Sequence, residues 1–219
     1  MTTGGYETWL ELAVSWLLLS AVLVVWRREL AALIRLLTVQ GLALAAIPAI
    51  RGWHTRDWTL LGVAIGVAVL RAGILPALLR RLAHRAGEAR ETRPLVNTTA
   101  SLLTAAALTI LAYAVTRPVV ALDPTPAGRA APAAVAVILI GIFVLTSRRR
   151  AISQVVGFLL MDNGVAAVAF LTTAGVPLVV ELGASLDLLF AVLVLQILAG
   201  RLRLVFGSTD LDELRELRD

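Results

Sequence analysis

AISQVVGFLLMDNGVAAVAFLTTAGVPLVVELGASLDLLFAVLVLQILAGRLRL, residues 151–204, is the stretch on which the fold turns. Two long apolar runs meet at the tight turn Ala174-Gly175-Val176-Pro177. A bilayer core is about 30 Å thick and takes roughly 20 apolar residues to cross as a helix, so each run is long enough to span it. Each run also carries a carboxylate, Asp162 in the first and Asp187 in the second. An acid at bilayer depth costs roughly 2.5–3.5 kcal/mol on insertion scales, which makes it a functional candidate by default. At a helical rise of about 1.5 Å per residue, both acids fall roughly 15–18 Å from their own end of the helix, near the midplane. The two helices run antiparallel, so the acids reach one level from opposite sides. The plainer alternative is that both face water or bond to neighbours with no part in transport.

Composition extends this reading to the whole chain. Of 219 residues, 59% are hydrophobic, and the mean hydropathy is +0.87. A soluble domain would be nearer about 45–50% apolar. The expected fold is all-α: a polytopic membrane helix bundle of about seven transmembrane helices, forming one integral membrane domain over residues 1–219. There is no cysteine, which excludes thiolate-held iron–sulfur clusters, cysteine zinc sites and disulfides in this chain. His54 and His84 fall in predicted loops and are too few for a haem or a metal cage. No metal site, no cofactor and no catalytic centre is therefore expected here. The net charge is +5, and every basic residue is arginine. Basic charge beside membrane spans is a topology signal, so nucleic acid is not the expected partner. The start, MTTGGYETWLELAV, has no basic region and carries Glu7 and Glu11. It does not read as a cleaved leader.

Seven spans can be drawn: residues 6–26, 29–50, 58–79, 95–116 and 132–147, then the two runs of the opening stretch. Trp9, Trp26, Trp53 and Trp58 mark span ends, as interfacial aromatics do. The arginines orient the bundle. With the N-terminus outside, the inner segments hold Arg27, Arg28, Arg80, Arg81, Arg85, Arg90, Arg93, Arg148, Arg149, Arg150, Arg201, Arg203, Arg215 and Arg218. The outer segments hold only Arg51, Arg56, Arg117 and Arg129. This asymmetry puts the N-terminus outside and the C-terminus in the cytoplasm; the expected membrane is the plasma membrane of a prokaryote.

Arg35 and Arg71 remain, both inside spans. Arg35 is close enough to the inner end to snorkel to the interface. Arg71 lies near half depth, where a cation wants a carboxylate partner, and Asp162 and Asp187 are the acids near that level. Gly73 and Pro76 follow it and bend the helix. The alternative is an arginine that snorkels or meets a neighbouring subunit. Glu181 is a further relay candidate, or an interfacial acid like Glu11. Gln40 and Asn163 are polar residues able to hydrogen-bond between helices or hold water. Gly62 and Gly66 form a small-xxx-small pair of the kind that packs helices closely. The Pro/Gly-rich residues 121–132 read as an outer connector, and RRLAHRAGEARETRP as a partly helical inner loop. In the tail, residues 205–219, Asp210 and Glu213 make a capping-box arrangement before the stripe Leu211, Leu214, Leu217. So short a helix is marginal alone and should dock on something.

Three segments, QVVGFLLMDNGVAAVAF, GVPLVVELGASLDLLFAVLVLQI and STDLDELRELRD, together resemble component E of the hydrogenase-4 and formate hydrogenlyase complexes. That family belongs to the membrane-bound [NiFe] hydrogenases related to respiratory complex I. The resemblance covers roughly residues 152–219; before that it rests on hydropathy. The final helix pair, 151–204, in turn resembles the small K subunit of complex I and the C subunit of cation/proton antiporters, with residues 1–150 supplying five further helices. Aligning Met161-x-Asn163 puts the K-subunit acid at Leu159, one turn from Asp162 on the same helix face. Component E proteins usually carry Glu where this chain has Asp162, one methylene shorter.

The resemblance implies a membrane-arm subunit of a complex I-related hydrogenase. It would contribute a buried acid pair, Asp162 and Asp187, to proton translocation and help anchor the redox module; Arg71 and Glu181 are the further relay candidates read from their positions in the spans. Its partners would be other membrane subunits, cytoplasmic redox subunits and the lipid bilayer. Two other classes stand beside this one: a structural scaffold whose acids only bind helices together, and a subunit of a multisubunit cation/proton antiporter or an inorganic-carbon uptake complex.

Overall fold

The computed structural model describes residues 3–86, 97–122, 124–148 and 150–172. The described chain is helical. In order it forms α1 (Thr3–Trp26), α2 (Leu30–Thr55), α3 (Trp58–Val67), a π-helical segment (Ala68–Ile74), α4 (Leu75–Ala86), α5 (Thr98–Leu122), α6 (Pro126–Ser147) and α7 (Ala151–Thr172). The run from α3 through the π segment to α4 is one span, and among the described residues six helices are long and apolar enough to cross a bilayer. In such a medium a helix satisfies its own backbone, which is why apolar runs of this length adopt it. The seventh predicted span, the turn before it and the tail lie outside the described residues.

Local signals set the helix ends. Between α2 and α3, Arg56 takes a left-handed backbone (φ 57°, ψ 34°). The Asp57 carboxylate then accepts from the Thr59 amide at 2.8 Å, capping α3. At α6, the Thr125 hydroxyl accepts from the Gly128 amide at 3.1 Å, and Pro126 occupies the first turn, where no intrahelical N–H is needed.

That cap corrects the sequence reading of this region. Residues 121–132 are not a long connector: α5 continues through Pro118 to Leu122, and α6 starts at Pro126 rather than Pro132. Pro132 is an interior residue of α6. Arg117 and Arg129 thus stand on helices, not in a loop. The third span likewise runs past Leu79 to Ala86.

α2 and α6 are the hubs. α2 packs against α1, α3, the π segment, α4 and α7, while α6 packs against α5, α1 and α7. Leu10, Leu17, Leu33, Leu37, Leu44, Ile140 and Leu160 are fully buried between them. The α6–α7 contact is the closest. A methyl group on Gly141 would land on the Met161 backbone, and one on Gly164 on that of Ile138, so small residues bring the two backbones together, as helix pairs in lipid require. Gly62, by contrast, is exposed. α5 is peripheral and turns Leu103, Ile110, Val115 and Leu122 outward, the expected face for lipid. Trp9, Trp26, Trp53 and Trp58 are also exposed.

Candidate functional site: a buried ion pair on an amide chain

Asp162 is the middle residue of the span Ile152–Thr172, and Arg71 is the middle residue of the span Trp58–His84. Opposite charges at equal depth on separate helices have strong reason to meet, because neither is solvated by the surroundings. In the structure the Arg71 Nη1 donates to Asp162 Oδ2. The same nitrogen donates to Asn163 Oδ1 at 2.6 Å. One cation thus holds two successive residues of α7.

The local backbone prepares this contact. Pro76 has no N–H and its ring crowds the carbonyl one turn back, so the helix cannot keep α geometry on its N-terminal side. It widens instead: the Leu75 amide bonds to the Leu70 carbonyl, five residues back. The resulting π turn is centred on Arg71, a feature often found at functional sites. Gly41 of α2 seats the widened turn. A Cβ there would lie 2.7 Å from the Arg71 carbonyl carbon and 2.8 Å from its oxygen, so only glycine admits this approach.

Behind the pair runs a chain of amides. Asn163 Nδ2 donates to Gln40 Oε1 at 2.9 Å, and Gln40 Nε2 donates to the Leu17 carbonyl at 3.5 Å. Ser20 donates to that same carbonyl at 2.8 Å. The orientation of both amides follows from chemistry. Arginine has donors only, so Asn163 must present its oxygen to Arg71. Its NH₂ then faces Gln40, which must accept there and donate onward to the carbonyl, itself only an acceptor. Gln40, Arg71, Asn163 and Ser20 are all buried, at most 3% exposed. The Asp162 side chain is the open end, at 22%. Polar side chains this deep are tolerated because each makes at least one hydrogen bond within the network.

Of the residues singled out by sequence, the structure therefore brings together Arg71, Asp162, Asn163 and Gln40. Arg35 is exposed on α2 and Glu11 on α1, both away from the network. Asp187 and Glu181 lie outside the described residues. Ser20 and Gly41 were not singled out; the only hint was a glycine beside a glutamine inside an apolar run. No group of three His, Asp or Glu able to hold a metal ion occurs among the described residues.

Two arginines counted only as topology signals do structural work. Arg148 is buried, and its Nη2 donates to the carbonyls of Val24 (3.1 Å), Val25 (3.4 Å) and Arg27 (3.0 Å). It closes the C-terminal end of α1, whose last carbonyls have no helical donor and carry partial negative charge. Arg51 of α2 donates to the Phe170 carbonyl in the last turn of α7. At the same level of the bundle as Arg51, Tyr6 and His54 stack with ring centroids 4.4 Å apart.

The chain is 55% identical over 220 residues to the uncharacterized protein Rv0085 of Mycobacterium tuberculosis, covering 100% of both chains. It is 32% identical over 116 residues to hydrogenase-4 component E of Escherichia coli K12, covering 53% of this chain and 54% of that protein. The component E of Shigella flexneri matches to the same extent. No protein-family model and no solved structure matches.

Proposed function

The chain belongs to the same family as the Mycobacterium tuberculosis protein Rv0085, and from that premise we propose that it is a membrane-arm subunit of a complex I-related hydrogenase complex. In this reading it carries no redox centre and no cofactor of its own. Hydrogen or formate chemistry takes place on cytoplasmic partner subunits. This chain helps anchor them to the membrane arm and contributes a titrating carboxylate, Asp162, to a proton path. The partial match to hydrogenase-4 component E supports the choice of complex.

The observation that carries the proposal is the Arg71–Asp162 pair at the middle of two spans. A pure scaffold has little use for it. Burying two charges costs several kcal/mol per ion, and well-packed apolar residues often stabilise a bundle as well or better. An acid kept at mid-depth beside a fixed cation, with one open edge, suits a group that binds and releases a proton. Asp187 and Glu181 are proposed as further stations of the same path.

The test is Asp162→Asn in the intact complex, in sealed membrane vesicles. Proton translocation per electron should fall at least severalfold, while hydrogenase activity toward artificial dyes persists. Unchanged translocation would sink the role of Asp162 and leave the scaffold reading. The orientation, N-terminus out, is proposed from the arginine asymmetry; a reporter after Asp219 should be active in the cytoplasm, and activity only outside would reverse it.

A further inference from the structure

The hydrogen-bond polarity of the amide chain says more than that it exists. From Arg71 to Leu17 every bond runs one way: Arg71 to Asn163, Asn163 to Gln40, Gln40 to the α1 carbonyl. A proton wire needs members that can accept a proton on one side and release one on the other. A guanidinium has five donors and no acceptor, and does not give up its proton in proteins. The two amides are neutral and do not titrate. The chain ends on a helix carbonyl already shared with Ser20. Nothing along it can carry a proton away from Asp162.

Among the described residues, the α6 side and the rest of α2 and α4 offer no ionisable relay either. α6, packed along α7, has no ionisable residue between Pro132 and Ser147, and Gly141 and Gly164 leave no gap between the two backbones. Arg35 of α2 is exposed, and Arg80 and Arg81 of α4 are exposed as well. Among the described residues, Arg71 is the charged group brought to Asp162. The open part of the site is the Asp162 side chain itself, 22% exposed where Arg71 is 3%.

We infer that Gln40 and Asn163 are positioning residues: they hold Arg71 against Asp162 and insulate the α1–α2 side, so that Asp162 exchanges its proton only across its own exposed edge. This rests on the reading of Asp162 as a titrating group. Gln40 touches neither charge directly; it accepts from the Asn163 Nδ2 and so holds in place the amide whose oxygen Arg71 uses. Without it, the buried Asn163 NH₂ has lost that acceptor, the side chain can swing out of line, and the cation loses one of its anchors on α7. A looser cation favours the carboxylate less, so protonation of Asp162 persists to higher pH.

The experiment labels Asp162 with a hydrophobic carbodiimide, which reacts with protonated carboxyls, in native membranes holding the intact complex. Labelling is read across pH by peptide mass spectrometry. Gln40→Met keeps the length of the side chain and removes its hydrogen bonds. It should move the labelling midpoint upward by a pH unit or more, a tenfold rise in proton affinity. Asn163→Ser accepts from Arg71 but falls short of Gln40, and should shift the same way. Gln40→His keeps a donor and an acceptor and should return close to the wild-type profile. Proton translocation in Gln40→Met should survive with a displaced pH optimum; a loss as complete as in Asp162→Asn would mean that protons run through the amides, and overturns the insulation. If wild-type Asp162 is unlabelled at every pH, the underlying reading fails. If it titrates but Gln40→Met and Asn163→Ser follow the wild-type curve, the positioning role fails alone. Should the Gln40→Met chain be missing from the membrane, Asn163→Ser carries the test; loss of both variants would show that the amides merely hold the bundle together and would overturn the inference.

Discussion

Gly41→Ala is a small change with a large expected effect. The added Cβ would sit 2.7 Å from the carbonyl carbon of Arg71, 2.8 Å from its oxygen and 2.9 Å from the Ala72 nitrogen. Ordinary contact begins near 3.4 Å, so α2 and the π segment must part by about 0.7 Å. All three atoms are backbone, so no side chain can swing aside. Overpacking of this kind costs roughly 1–3 kcal/mol. A radial gap of about 0.5–1 Å also forfeits a quarter to a half of each dispersion contact along the seam. If the shift carries Arg71 off Asp162, the cost rises toward that of a broken buried ion pair, about 3–5 kcal/mol. Gly73→Ala is the control. It lies in the same π segment, and a Cβ there meets nothing within 4 Å. Thermal unfolding of the two variants in one mild detergent makes the comparison. At roughly 2–4 °C per kcal/mol for a chain of this size, Gly41→Ala should melt about 2–12 °C below wild type, and Gly73→Ala should match it. Equal melting of Gly41→Ala and wild type, or an equal drop in both variants, would refute the close seating of the π turn on α2.

Arg148→Ala should destabilise the bundle although no span loses an apolar contact. Three carbonyls at the end of α1 lose a charged donor, and such bonds contribute about 1.5–3 kcal/mol each at most, not additively. Arg148→Lys should rescue only in part, because an ammonium lacks the planar fork; full rescue in a melting assay would mean that charge alone suffices. Arg129→Ala, by contrast, removes a pair with Glu7 at 3.1 Å in which both side chains are about half exposed. Its effect should stay within about 1 kcal/mol and shrink further in high salt; a drop like that of Arg148→Ala would show the pair to be shielded from solvent.

Some of this protein is decided by the sequence alone. Apolar run length and the need to satisfy every backbone group in lipid dictate helices, and they place Arg71 and Asp162 at mid-depth by simple rise per residue. These are one-dimensional properties, read along the chain without knowing its neighbours. The tertiary structure decides what depends on rotation about each helix axis and on which helices touch. Pairing Arg71 with Asp162 requires α7 to lie beside the π segment with both side chains turned inward, and depth is silent on azimuth. Gln40 and Asn163 become one chain only because α2 and α7 face each other across that same gap. Arg148 is one of three consecutive arginines, equal to its neighbours as a topology signal, and its place against the last carbonyls of α1 follows only from how the end of α6 packs there. Pro126 and Pro132 illustrate the same limit at shorter range. Either proline is compatible with a helix start, and the Thr125 cap, formed only once Gly128 folds back over it, settles which one serves.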